Sequence, residues 1–250
     1  MSEYTIPKHG SLGLLALGHE GLDRWRAARG DGWRESRRRD VEQARAERET
    51  DPDLSALTVV VVTGLPRSGT SMAMQMLDAG GLSAFTDGQR PADTSNQKGY
   101  YEHERVKATS TDQSWLPDAD RHAVKVVAPL PVHLPKGPRY HVLWMERDIE
   151  AVLASQSAML GRSERAAADA SVLRPAYGRF LKATSRWAEG TPRVSLTRLN
   201  FDDVLRDPTT AADRLTRAVS EDFDLDTTAM AAVVDPSLRR EQAGGTPPDA

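Results

Sequence analysis

The sequence predicts an α/β domain with a largely parallel sheet covered by helices on both faces. Three observations carry this expectation. Residues 57–63 read Leu-Thr-Val-Val-Val-Val-Thr, a continuous β-branched run of the kind that forms a strand buried on both faces. A glycine-bounded loop, Gly64 to Ser71, follows at once, and the pattern then becomes helical at Met72-Ala73-Met74-Gln75-Met76-Leu77. Further apolar runs at 123–128, 140–145 and 193–199 alternate with helical patterns at 149–160, 173–187 and 209–219. Such alternation is expected of parallel strands joined by crossover helices.

Strand, glycine-bounded loop and helix together open a P-loop-type fold. The loop has the length and the final serine of the Gly-x-x-x-x-Gly-Lys-Ser/Thr pattern, but Thr70 stands at the lysine position. That lysine reaches the β- and γ-phosphates of a nucleoside triphosphate, so its absence argues against ATP or GTP hydrolysis. An anion cradle remains. The backbone N–H groups of Ser68, Gly69, Thr70 and Ser71 are expected to converge at a helix N-terminus, where the dipole favours negative charge. Arg67 adds a fixed cation inside the loop.

At 250 residues the chain is long enough for one sizeable α/β domain. We divide it into a charged helical segment (1–50), the α/β domain (51–243) and a Gly- and Pro-containing tail (244–250). Between Asp23 and Glu49 lie nine arginines and seven acids, so the signs interleave and build no basic arm. The net charge of −3 gives no global field for nucleic acid or an anionic membrane. Cysteine is absent, which excludes disulfides, thiolate metal sites and a cysteine nucleophile. No His or carboxylate cluster has convincing metal-ligand spacing. The apolar run Leu12 to Leu17 is too short for a membrane span and has no basic flank. A cytoplasmic protein is expected.

Gly-Leu-Pro-Arg-Ser-Gly-Thr-Ser (64–71) resembles the loop that holds the 5′-phosphosulfate in sulfotransferases dependent on 3′-phosphoadenylyl sulfate, above all the bacterial and tyrosylprotein branches. The resemblance implies that Pro66 to Ser71 bind this cofactor. Arg67 would contact its sulfuryl end, and the hydroxyls of Ser68, Thr70 and Ser71 its 5′-phosphate. Glu146-Arg147-Asp148-Ile149 follows the third strand, and Ser155 lies eight residues after Arg147. In the family an Arg and a Ser at this spacing bind the 3′-phosphate, and an arginine fork suits such a dianion. Three further segments are similar to family patterns: 96–102 (Asn-Gln-Lys-Gly-Tyr-Tyr-Glu), 200–208 (Asn-Phe-Asp-Asp-Val-Leu-Arg-Asp-Pro) and 235–240 (Asp-Pro-Ser-Leu-Arg-Arg). The last makes Arg239 a further candidate phosphate contact.

Sulfuryl transfer needs a cation beside the leaving oxygen and a base beside the acceptor hydroxyl. Arg67 is one cation and Lys125 is the candidate for the second. Cytosolic members carry Lys-Thr-His in a comparable strand, with histidine as base; here Lys125-Val126-Val127 lacks it. The tyrosylprotein branch uses a glutamate, and that resemblance makes Glu102, which ends the segment at 96–102, the candidate base, with His103 and His133 behind it. The expected acceptor is the hydroxyl of a small molecule, bound among residues 85–94, 109–121 and 161–174, which include Trp115, Asp112, Asp118, Arg162 and Arg165. A homodimer is left open. Two other readings compete: a small-molecule or nucleotide kinase, and a non-catalytic nucleotide-binding relative.

Overall fold

The structure is a computed structural model that describes residues 54–89, 99–160 and 166–235, with side chains described outside 157–171. The proposed segments 1–50 and 244–250 lie outside the described residues, as do Asn96 to Lys98, Arg162, Arg165 and Arg239.

Among the described residues four strands form one sheet: β1 (Thr58–Gly64), β2 (Ala123–Lys125), β3 (Arg139–Glu146) and β4 (Val194–Asn200), in the order β2-β1-β3-β4. Every pairing is parallel. Ala84 makes one further parallel bridge to Ala123, on the far side of β2. The predicted α/β class, with a parallel sheet and helices on both faces, is what the chain adopts. β2 is shorter than the run at 123–128 suggested. The Val126 N–H still donates to Val62 O, but the chain then turns through Pro129 into a 3₁₀ turn at Leu130–His133.

The helices are α1 (Thr70–Ala79), α2 (Glu104–Lys107), α3 (Ile149–Leu160), α4 (Ala166–Gly190), α5 (Phe201–Arg206), α6 (Pro208–Val219) and α7 (Thr227–Ala232). α4 begins well before the predicted 173 and carries Pro175 within it. Three of the short helices start at side-chain caps: His103 for α2, Asn200 for α5 and Asp226 for α7. Each cap accepts from backbone N–H groups that the first turn leaves without an intrahelical partner.

Because successive side chains in a strand point to opposite faces, β1 supplies two cores. Val60 and Val62 join Leu143, Met145, Met74, Leu77, Leu215 and Met230 beneath α1, α6 and α7. Val59 and Val61 join Tyr140, Val142, Trp115 and Leu116 on the other face, against which Trp187 of α4 packs. The Val-Val-Val-Val run is fully buried, as a strand covered on both sides requires.

The topology fixes where a ligand belongs. β1 connects to β2 on one side, and the chain then crosses back to place β3 on the other. In open α/β sheets ligands bind at the carboxyl ends of strands where the order reverses. That point lies between the ends of β1 and β3, where Gly64 pairs with Met145.

Candidate functional site

The loop after β1 is built on two glycines with left-handed backbones. Gly64 has φ 148, and a Cβ there would sit 2.6 Å from Met145 O and against Ser68 Oγ. Gly69, the N-cap of α1, has φ 99, and a Cβ would sit 2.6 Å from the Phe201 ring. Arg67 also adopts positive φ, at 72, an uncommon conformation for a non-glycine residue. Such backbones persist where surrounding contacts over-determine them, and the neighbours of Arg67 do so. Its Nε donates to Ser155 Oγ at 3.0 Å, and its carbonyl accepts from the Arg147 guanidinium at 2.9 Å. Arg147 in turn lies over the Phe201 ring, 4.1 Å from its centroid.

Arg67, Arg147 and Ser155 therefore meet, although 80 and 88 residues separate Arg67 from the other two. The acids near Arg147 are engaged elsewhere: Glu146 with Arg198, Glu150 with Arg174, and Asp148 with the Glu150 and Ala151 amides. Phe201 connects this cluster to the loop, contacting Arg147 on one side and Gly69 on the other. The sequence singled out its segment without assigning Phe201 a position.

The cradle differs from expectation in two respects. The Ser68 N–H donates to Leu65 O at 3.1 Å, so it closes a turn inside the loop. The anion-facing amides expected of the loop are then those of Gly69, Thr70 and Ser71. Ser71 Oγ accepts from Lys125 Nζ at 3.1 Å and donates to Tyr100 O at 3.5 Å, so it does not stand alone as an anion donor. Ser68 Oγ is buried without a hydrogen-bond partner among the described residues, and the Thr70 side chain is buried. A cavity of about 360 Å³ adjoins the loop, lined in part by Leu65, Ser68, Trp144, Arg147, Lys182 and Arg198.

Lys125 leaves the end of β2 with its side chain only 7% exposed. Its ammonium donates to Tyr100 O at 2.8 Å and lies 3.6 Å from Glu102 Oε1. The other oxygen of Glu102 is 3.1 Å from Lys107 Nζ. The sequence missed Lys107, whose i,i+3 spacing from Glu104 signalled only a helix-surface pair. Its ammonium is held above the ordinary lysine value, first by Glu104 and then by Glu102.

The remaining candidates separate. His103 caps α2, accepting the Arg105 N–H at 3.2 Å, and stacks on Phe85 with centroids 4.3 Å apart and planes 3° from parallel. Asp87 lies 3.7 Å from the His103 ring. Its carboxyl is held below the usual range, chiefly by hydrogen bonds from the Glu104 and Gln89 amides. His133 is exposed at the end of a 3₁₀ turn. Trp115, expected to line an acceptor pocket, is instead fully buried in the core. Its large apolar surface is removed from water by Val106, Val59 and neighbours, and cannot meet a ligand. Asp112 is exposed, and Asp118 pairs with Arg105.

No protein-family model and no curated protein matches this sequence. Among solved structures, the sulfotransferase domain of the Synechococcus PCC 7002 olefin synthase is similar, at 14% identity and a TM-score of 0.41. The match covers 77% of this chain and 90% of that domain. No helix among the described residues is long and apolar enough to cross a membrane.

Proposed function

We propose that the chain is a sulfotransferase that uses 3′-phosphoadenylyl sulfate and a small-molecule hydroxyl acceptor. The observation that carries the reading is the meeting of Arg67, Arg147 and Ser155 at the carboxyl ends of β1 and β3. Sequence similarity named these three residues as the two ends of one cofactor site, and the fold brings them into contact. The donor set suits a polyanion with no γ-phosphate. It comprises two guanidinium groups, the amides at the start of α1, a buried hydroxyl at Ser68 without a partner among the described residues, and no lysine at position 70.

When bound, the cofactor supplies the sulfuryl group. Within the site, Arg67 places a fork of donors beside the loop where charge develops on the leaving oxygen. Lys125, tied to Ser71 Oγ and Tyr100 O, offers a second cation. Glu102 is the carboxylate beside it and takes the acceptor's proton. Arg147 and Ser155 hold the 3′-phosphate. Both residues already contact Arg67, so the two ends of the site are mechanically connected.

The test is transfer of labelled sulfuryl from the cofactor to a simple phenol, compared between wild type and Arg67→Ala. Loss of one stabilising donor typically lowers kcat by about 10²–10³. Arg67→Lys should restore only part of the rate, because the fork geometry is gone. A normally folded Arg67→Ala protein with unchanged kcat would remove Arg67 from the mechanism.

A further inference from the structure

At the opposite end of the sheet, three side chains join that no part of the proposed sulfuryl chemistry uses. His141 of β3 and Ser195 of β4 are direct partners in the parallel register. His141 Nδ1 lies 3.0 Å from Ser195 Oγ, and His141 Nε2 lies 2.7 Å from Asp222 Oδ2. We propose that Ser195, His141 and Asp222 form a second site, a base-activated serine that accepts acyl groups from small activated esters.

The proton positions follow from the partners. An ionised carboxylate only accepts hydrogen bonds, so Nε2 carries the hydrogen that Asp222 receives. Nδ1 then presents a lone pair, and Ser195 Oγ donates to it. This is nucleophile, base and orienting carboxylate in sequence, an arrangement recognised by geometry and roles and not by chain order. The ring is 4% exposed and is held edge-on by Phe223 at 6.3 Å. Asp222 is fixed by its own N–H to Val219 O and by Arg121, which donates to its carbonyl at 2.9 Å. Arg139 Nε stands 3.8 Å from its carboxylate. Ser195 itself is exposed, so a reagent reaches the nucleophile while the base stays dry.

β4 is the edge strand among the described residues. Tyr140 N–H donates to Arg193 O, so the parallel register turns the amide of Leu196 away from β3. That outward N–H, one residue after the nucleophile, is the candidate donor for an oxyanion. In the step, Ser195 Oγ bonds to the ester carbonyl carbon and its proton passes to His141 Nδ1. The acyl–oxygen bond breaks and the leaving alcohol takes that proton from His141. Water reverses the sequence and releases the acid. The site lies five residues along β3 from Glu146, about 17 Å, so it neither needs nor disturbs the loop after β1.

The experiment treats the full chain with diisopropyl fluorophosphate, reads the adduct by intact mass, and maps it by peptide fragmentation. One adduct is expected, on Ser195, and it should be absent from Ser195→Ala. Asp222→Asn should slow labelling by about 10²–10⁴-fold, the contribution typical of a positioned base, at a melting temperature measured alongside. Turnover of 4-nitrophenyl acetate should fall in the same order. An unlabelled wild-type chain, an adduct spread over other serines, or equal labelling of a folded Asp222→Asn protein would each overturn the proposal. Sulfuryl transfer by Ser195→Ala should equal wild type, which keeps the two activities separable.

Discussion

Glu102 faces an ammonium group on each of its oxygens, Lys125 at 3.6 Å and Lys107 at 3.1 Å. That geometry holds the carboxylate beside the loop. The base matters most for acceptors whose hydroxyl holds its proton tightly. Glu102→Gln should therefore abolish transfer to an aliphatic alcohol, a loss of about 10²–10⁴, and spare much of the transfer to a nitrophenol. Paired kinetics on the two acceptors check this. Equal losses on both would make Glu102 a residue that positions Lys125 instead. Lys125 and Glu102 were legible as motif residues, but their pairing was not. It depends on how the chain after Gly99 folds back beside α1, and no local pattern in the sequence encodes that. The same holds for His141 and Ser195, which meet because β3 and β4 share a register, and for Asp222, which the turn after α6 brings to the ring.

Elements were more legible than contacts. Each of the four strands lies within a few residues of its apolar run, and in β1 burial on both faces leaves the β-branched residues little alternative. The short helices α2, α5 and α7 were not foreseen. They are stabilised by caps and by packing, whereas hydrophobic period is the signal that sequence reading uses. The predicted helix at 173–187 already contained Pro175; the alanine-rich stretch 166–172 before it offers too little apolar period to extend the reading. The loop was the most legible element, because its glycines answer to backbone geometry. Gly69 tests this. Alanine there must accept φ 99 and place its Cβ 2.6 Å from the Phe201 ring. Left-handed backbone alone costs about 1–2 kcal/mol for a residue with a Cβ. Gly69→Ala should thus lower the melting temperature by about 2–8 °C and weaken nucleotide binding. An unchanged melting curve would mean that the loop relaxes freely around the substitution.

Across the whole molecule, the sheet order and the loop make one coherent arrangement. Reversal of strand order opens a crevice between β1 and β3, the loop and the start of α1 occupy one lip, and Arg147 stands on the other. The sheet class and the loop after β1 followed from the sequence, because alternating strands and helices leave few topologies; the strand order, which places the crevice, came from the fold. The acceptor's surroundings did not, as the burial of Trp115 shows: an aromatic in a polar segment reads the same whether it faces a ligand or the core. The central claim is that Arg147 and Ser155 read a 3′-phosphate at one end of the crevice. Calorimetric titration with adenosine 3′,5′-bisphosphate and with AMP measures that claim directly, since the two ligands differ only in this group. A hydrogen bond to a charged group contributes about 1.5–3 kcal/mol, or roughly 10- to 150-fold in affinity. The bisphosphate should bind tighter by at least the lower of these factors, and Arg147→Ala should erase the difference. Equal affinity of the wild-type protein for the two nucleotides would contradict the assignment of the site.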